Sequence, residues 1–305
     1  MFRLALLIFG LVLSPPPLLA ASHNASVAEA RLAYIAGEYD TALAVLLPAA
    51  QAGDPVAQNI VGAAFVDGNG VAQDTTLALQ WYARAANQNF QKALHNLGHL
   101  YVNGAPGLSP DFTKEAGYYD RAIALGYGAS MTNRGLMHAL GQGGLVDMGA
   151  AVALFDRAAD LGDIHAVNNA GQIYVGGKGL GQNLARALEL FRRAATLGDA
   201  VGIRNLGAMY GNGYVVAQDL VAEHALYLMA AQMGHPQAAI NLAHSLIEGP
   251  EDLRNQALGY GWCQSGCARA LAKDSKEFAE DCDYLASLMD SDQRAEGKAL
   301  AASLP

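Results

Sequence analysis

The chain has 305 residues, of which 52% are apolar and only 15% charged, and its formal net charge is −9. This composition excludes an intrinsically disordered chain, which combines low hydrophobicity with high net charge. The acidic balance argues against nucleic acid as a partner, because an acidic surface repels the phosphate backbone. The 34 glycines, together with many alanines, predict short helices joined by tight turns.

The first predicted element is a signal peptide over residues 1–21. Arg3 supplies a positive n-region, residues 4–13 an apolar h-region, and Ala20 and Ala21 a cleavage site after either of them. The apolar stretch is too short to span the roughly 30 Å of a bilayer core, which disfavours an uncleaved anchor. We therefore expect a mature protein that is soluble, without stable membrane insertion, and periplasmic or secreted.

A repeat of 36 or 37 residues follows, and in each copy apolar residues recur at spacings of three and four in both halves. Each copy therefore predicts two helices. In the first copy Gly68 and Gly70 end the first helix, and Asp74 caps the second. Equivalent capping residues recur at Asp111, Asp147, Asn183, Asp219 and Asn255, and equivalent turns between copies at Gly53, Asn89, Gly126, Gly162, Gly198 and Gly234.

Glycine also recurs inside the first helix of each copy, at Gly62, Gly98, Gly135, Gly171 and Gly207. In a helix interior glycine costs about 1 kcal/mol relative to alanine, so its recurrence needs a structural reason. We expect it to allow two helix backbones to approach closely. The unit is then a tight helix hairpin, and hairpins of this kind stack.

The recurring text, for example residues 57–86 (AQNIVGAAFVDGNGVAQDTTLALQWYARAA), resembles the Sel1-like repeat, a relative of the tetratricopeptide repeat. The resemblance covers about residues 52–263, and with the export signal the protein looks like an exported bacterial member of that family. It implies an all-α fold, a right-handed α-solenoid of stacked antiparallel helix hairpins. It also implies a binding role, since relatives of this type serve as adaptors between proteins.

The predicted organisation has three parts after the signal peptide. Residues 22–51 form a linker and a tetratricopeptide-like helix pair, and residues 272–305 form a helical cap over the terminal apolar surface. Between them lie six repeats, at about 52–88, 89–125, 126–161, 162–197, 198–233 and 234–271.

Three cysteines lie near the C-terminus, and an oxidising compartment predicts one disulfide and one remaining thiol. Cys263 and Cys267 are one turn apart on a single predicted helix, which is a poor geometry for a bridge. We therefore expect Cys282, on the next predicted helix, to pair with either of them. A metal site is disfavoured, because the three thiols have no nearby histidine.

No motif in the sequence predicts catalysis. The glycine-rich stretches lack the Lys-Ser/Thr ending of a phosphate-binding loop. His95 and His99 have the spacing of zinc ligands, but no catalytic glutamate stands between them. Some relatives of the family are linked to β-lactam binding or hydrolysis, yet Ser-x-x-Lys does not occur in this sequence. We expect a protein without catalytic residues, cofactor or metal.

One polar column runs through the repeats, at Asn96, Asn133, Asn169, Asn205 and Asn241. These amides would either bind the backbone of an extended ligand or tie each helix to the neighbouring repeat. The structural interpretation is favoured, since a buried unsatisfied amide costs about 1–3 kcal/mol. Polar residues near the column, expected to be exposed and variable, are the predicted partner contacts: His95, Asn168, Arg204 and His244.

These features predict a non-catalytic exported scaffold or regulator that binds a partner protein or peptide in the solenoid groove. Two alternatives stay open. One is a hydrolase of a β-lactam or a cell-wall-related substrate, and the other is a secreted factor that engages a host cell.

Overall fold

A computed structural model describes residues 17–177, 179–271 and 274–304, with side chains from residue 26 onwards. Within these ranges the protein is all-α, as predicted, with one short 3-10 turn and no β-strand. The helices are α1 (Pro17–Ile35), α2 (Tyr39–Gln51), α3 (Pro55–Asp67), α4 (Thr75–Asn87), α5 (Gln91–Asn103), α6 (Phe112–Ala124), α7 (Gly128–Leu140), α8 (Met148–Asp160), α9 (Ile164–Gly176), α10 (Leu184–Thr196), α11 (Ala200–Gly211), α12 (Leu220–Gln232), α13 (Pro236–Glu248), α14 (Gln256–Arg269), α15 (Ser275–Ser287) and α16 (Ser291–Ala301).

The helices form two compact units, one ending at Ser130 and the other beginning at Met131. In the first unit α3 packs on α4 and α5 on α6, and the two hairpins meet where α4 packs on α5. In the second unit α9 packs on α10, α11 on α12 and α13 on α14, with α10 against α11 and α12 against α13 between hairpins. Each unit is therefore a stack of helix hairpins.

Short polar side chains set the helix starts. The six predicted caps of the second helices are confirmed, because in each the side-chain oxygen accepts a backbone N–H from the first turn: Asp74, Asp111, Asp147, Asn183, Asp219 and Asn255. The six predicted turns between hairpins all have positive φ, from +58° at Asn89 to +105° at Gly53. Glycine and asparagine adopt this conformation at the lowest cost, which explains their recurrence there.

The nearest atoms to the glycine inside each first helix belong to an aromatic ring. The expected approach of a second backbone is present at Gly135, where the Ala151 carbonyl oxygen of α8 lies 3.1 Å from the Cβ position. A Cβ placed on Gly98 or Gly171 would lie 2.5 Å from a ring carbon of Tyr119 or Phe191. The same contact recurs in the other hairpins, as Gly62 with Tyr82, Gly135 with Phe155, and Gly207 with Tyr227. The ring comes from the second helix of the same hairpin and fills the space that a side chain would occupy.

These rings belong to the apolar interior of each unit. In the first unit Leu46, Leu94 and Tyr119 are at most 1% exposed, and in the second Phe155, Leu190 and Ile240 are at most 1% exposed. Each unit thus has its own core, assembled from the facing sides of successive hairpins.

The two ends of the protein are also helical. Residues 1–16 of the predicted signal peptide lie outside the described residues, and α1 runs from Pro17 through the predicted cleavage site. The linker expected directly after residue 21 is therefore part of a helix, which packs on α2. At the other end α15 and α16 lie within the predicted helical cap over residues 272–305. Among the described residues, no helix combines the length and apolar character that crossing a bilayer requires.

Candidate binding groove in the second unit

Three cavities recur at equivalent places in successive hairpins of the second unit. Each takes its name from the helix that supplies its asparagine: the α9 cavity with Asn169, the α11 cavity with Asn205 and the α13 cavity with Asn241. Their volumes are about 380, 460 and 390 Å³. Together the three cavities form the groove.

Each cavity has the same frame. One wall is an aromatic ring from a second helix, namely Phe155, Phe191 or Tyr227, and the other is the first helix of the next hairpin. These rings are the ones that lie on the mid-helix glycines. The residue three positions after the asparagine also faces each cavity and varies from Gln172 to Ala208 to His244. The frame is therefore constant and its lining is variable.

The asparagines differ in their hydrogen bonds. On α5, Asn96 donates to Asn59 of the preceding hairpin at 2.9 Å, which is the predicted tie between repeats. On α13, Asn241 accepts from Gln237 of its own helix at 3.2 Å. Asn169 is half-buried, and it has no hydrogen-bond partner among the described residues. Asn133 is half-buried on α7.

Asn205 departs furthest from the expected tie. Its Oδ1 accepts from Arg204 Nη1 at 2.8 Å, while its buried Nδ2 has no partner among the described side chains. The residue equivalent to Asn59 is Asn168, but its Nδ2 donates to Asp199 and its Oδ1 is likewise without a partner. The bond between Asn96 and Asn59 is therefore not repeated between Asn205 and Asn168.

The connection between hairpins is made one residue earlier in the sequence than predicted. Thr132 donates to Asp163 at 2.8 Å, and Asn168 donates to Asp199 at 2.7 Å. Asp163 and Asp199 are the N-caps of α9 and α11, so each polar residue holds the start of the next first helix. Asn168 was expected to be an exposed partner contact, but it is 6% exposed because it faces this cap.

His95 occupies the equivalent position on α5, one residue before Asn96, and it is half-buried instead of exposed. Its Nδ1 lies 3.0 Å from Ser130 Oγ, and its ring is within 5.5 Å of the rings of Tyr119 and Tyr127. Burial, with a smaller contribution from the charge of His99, lowers the pKa of His95 to about 4. The imidazole is therefore neutral at pH 7 and acts as part of the packing.

Arg204 occupies the equivalent position on α11, but the helix cap that it faces is different. The N-cap of α13 is His235, not an aspartate, so no carboxylate faces the guanidinium at the equivalent place. Burial lowers the pKa of Arg204. Burial also lowers the pKa of His235, and the charge of Arg204 lowers it further. Arg204 lines the α11 cavity beside Asn205.

The α13 cavity has the opposite character. His244 Nδ1 lies 2.7 Å from Glu248, and Tyr284 of α15 donates to the same carboxylate at 2.7 Å. Glu223 lines the cavity as well, and its burial raises its pKa. Burial, together with the charge of Glu223, raises the pKa of Tyr227 to about 12. This end of the groove is acidic.

The cysteines lie apart from the groove, on α14 and α15. Cys263 and Cys282 form a disulfide, one of the two pairings that the sequence left open. Cys267 is the free thiol, and its Sγ lies 3.0 Å from the Sγ of Cys282. The three sulfur atoms are the one group among the described residues with the spacing of metal ligands, and two of them are joined to each other.

Five consecutive segments of the sequence match the Sel1 repeat, at residues 55–90, 91–127, 128–163, 164–199 and 200–235. They cover more than half of the protein. The chain belongs to the Sel1 repeat family. Its matched repeats begin two or three residues after the predicted boundaries and end at residue 235. The sixth Sel1 repeat, over 234–271, stays a prediction, and α13 and α14 form the hairpin there.

Two solved structures of repeat proteins have a similar fold. This Sel1 repeat protein resembles a protective antigen of uropathogenic Escherichia coli that displays an SLR fold, with a TM-score of 0.74 and 24% identity. That match covers 94% of this chain and 63% of the antigen. A Sel1 repeat protein from Oxalobacter formigenes matches with a TM-score of 0.68 and 25% identity, over 85% of this chain and 99% of its own.

Curated relatives match over a shorter stretch. Cytochrome c oxidase assembly factor 7A of Xenopus laevis is 33% identical over 70 residues, which are 23% of this chain and 30% of the frog protein. The corresponding factor of Xenopus tropicalis is 31% identical over a stretch of the same length. The match thus spans less than a third of the curated relatives.

Proposed function

We propose that this Sel1 repeat protein is an exported, non-catalytic scaffold that binds an extended segment of a partner protein along the groove. The observation that carries the proposal is the periodic frame of the groove, in which each cavity pairs an aromatic ring with an asparagine amide. A ring supplies apolar contact, and an amide offers one acceptor and two donors to a peptide backbone. A stack of hairpins repeats this pair for successive parts of one ligand.

The lining of the groove supports selectivity among partners. Gln172, Ala208 and His244 occupy equivalent positions but differ in size and polarity. The asparagines at Asn169 and Asn205 also keep hydrogen-bonding capacity that neighbouring repeats do not use. A backbone-binding frame with variable side chains is typical of surfaces that recognise extended peptides.

The test is photo-crosslinking in the native host. A photoreactive residue replaces Gln172, which is exposed and shared by two cavities. The matched control replaces Glu189, which is exposed on α10 and lines none of the three cavities. We expect a discrete protein adduct from position 172 that position 189 does not give. Equal adducts from both positions, or none from either, would contradict binding in the groove.

The proposed export and the non-catalytic assignment are tested separately from binding. N-terminal sequencing of the mature protein is expected to begin between Ala21 and Ser26, and a start at Met1 would contradict a cleaved signal peptide. Recovery from the periplasm or from the medium separates an envelope scaffold from a secreted host factor. Turnover of a chromogenic β-lactam by the purified protein would contradict the non-catalytic assignment.

A further inference from the structure

The α11 cavity differs from its neighbours in carrying a cation. Arg204 and Asn205 are consecutive on α11 and both line it. Arg204 makes one hydrogen bond among the described residues, from Nη1 to Asn205 Oδ1, and its buried Nε has no partner. A desolvated guanidinium without a carboxylate is costly, and proteins usually pair such a charge.

Arg204 lacks a carboxylate partner because the helix cap that it faces is not an aspartate. In the two preceding hairpins the residue equivalent to Arg204 contacts the aspartate that caps the next first helix, as Thr132 with Asp163 and Asn168 with Asp199. The third cap is His235, whose imidazole accepts a backbone N–H of its own helix. The repeat thus replaces an acid with a base at the place where its own helix cap would have neutralised Arg204.

The orientation of the Asn205 amide follows from Arg204. The guanidinium only donates, so the amide must turn its oxygen toward Arg204 and its nitrogen away. That nitrogen is buried and has no partner in the described part of the chain, and Asn205 as a whole is 6% exposed. Arg204 and Asn205 therefore bring several N–H donors with unused capacity to one cavity.

We propose that the α11 cavity binds a carboxylate of the partner segment, with Arg204 and Asn205 as its donors. The carboxylate belongs to an Asp or Glu side chain or to the C-terminus of a polypeptide, which share this chemistry. Val175, Phe191 and Met209 form the apolar remainder of the cavity and accommodate the adjoining aliphatic carbons. This inference rests on the proposed function and specifies the ligand chemistry at one of its cavities.

Charge along the groove restricts the carboxylate to this cavity. The protein is acidic overall, with a formal charge of −9, so acidic peptides are not attracted to it in general. The neighbouring α13 cavity carries Glu223 and Glu248 and disfavours a second anion. Selection of an acidic residue therefore depends on the local donors at Arg204 and Asn205.

The experiment uses the mature full-length protein and an array of nine-residue peptides made in pairs. In each pair Asp and Glu are replaced by Asn and Gln, and each peptide is made with a free and an amidated C-terminus. We expect retained sequences to bind at least about tenfold more tightly in the acidic form, since charge-assisted hydrogen bonds exceed neutral ones. Dependence on the side chain or on the free C-terminus identifies the source of the carboxylate.

Two variants test the residues. Arg204→Gln is expected to abolish the preference for the acidic peptide, whereas Arg186→Gln is expected to retain it, because Arg186 pairs with Asp156 and Glu189 and lines none of the cavities. Equal binding of acidic and amide peptides by the wild-type protein would overturn this inference while leaving the groove as a binding site. An array that retains no peptide would overturn the proposed function together with it. The wild-type comparison needs no variant, so a misfolded Arg204→Gln does not remove the test.

Discussion

The hairpins that begin with α5 and α11 carry the same frame but use the same two positions differently. On α5, His95 contacts Ser130 and Asn96 donates to Asn59, so both side chains serve the fold. On α11, the side chains of Arg204 and Asn205 hydrogen-bond only to each other among the described residues and leave N–H donors unused. The position within the repeat does not fix the role of a residue. The role depends on which side chain the neighbouring hairpin presents.

The largest effect is expected where the two hairpins are alike. Gly98→Ala should lower the free energy of unfolding by about 3 kcal/mol, because the new Cβ would lie 2.5 Å from a ring carbon of Tyr119, which is 1% exposed and part of the core. Gly207→Ala, against Tyr227, should act in the same direction. Urea unfolding followed by circular dichroism measures both.

Gly117→Ala is the matched control for these substitutions. Gly117 lies inside α6 with nothing near its Cβ position, so alanine should raise stability by up to about 1 kcal/mol through helix propensity. The same sign for Gly98→Ala and Gly117→Ala would contradict the role of the ring.

On the α5 side of the comparison, a pH-dependent effect is expected from His95. The pKa of His95 is about 4 in the folded protein and about 6.5 in the unfolded protein, so below pH 6.5 the unfolded state binds more protons. The stability contributed by neutral His95 is therefore complete above pH 6.5 and is lost as the pH falls toward 4. Allowing for partial exposure, the loss is on the order of 2 kcal/mol.

Unfolding curves at pH 7 and pH 4.5 measure this loss for the wild-type protein and for His95→Gln. The variant should lose less stability than the wild-type protein over this interval. His165→Gln, at an exposed histidine on α9, is the control and should follow the wild-type protein. A His95→Gln curve parallel to that of the wild-type protein would contradict the assignment.

Substitutions of two arginines are expected to change stability by a smaller amount and in opposite directions. Arg204→Met should raise stability by up to about 1 kcal/mol, because it removes a desolvated charge without a carboxylate. Arg121→Met should lower stability by about 1 kcal/mol, since Arg121 donates to the Ala86 carbonyl at 2.9 Å and to Asn89. Thermal unfolding measures the stability of both variants. A loss of stability in Arg204→Met would show that Arg204 stabilises the fold, and would contradict its role as an unpaired charge.

The sequence predicts the features whose cause is local. The caps at Asp74 and its equivalents and the turns at Gly53 and its equivalents depend on residues within one turn, and the structure agrees. The ring on each glycine joins residues 20 or 21 apart, and the ties between hairpins join residues 31 to 37 apart. No short sequence pattern predicts such contacts. The separation of 31 residues is nevertheless the same for Thr132 and Asp163 as for Asn168 and Asp199.

The sequence predicts the candidate site only in part, for the same reason. The spacing of the asparagines reveals their column, but its division into bonded and unbonded members depends on side chains one repeat away. The change of cap from Asp199 to His235 is visible in the sequence. Its effect on Arg204 needed the structure, because the two residues are 31 positions apart.

The most direct test is a pair of double-mutant cycles on the equivalent asparagine pairs, each residue being replaced by alanine. Asn59 and Asn96 should show a coupling energy of about 1 kcal/mol, since they share a hydrogen bond. Asn168 and Asn205 should show a coupling near zero, because each bonds to a different residue. A coupling of about 1 kcal/mol between Asn168 and Asn205 as well would show that Asn205 is a tie between repeats, and would contradict its assignment to ligand binding.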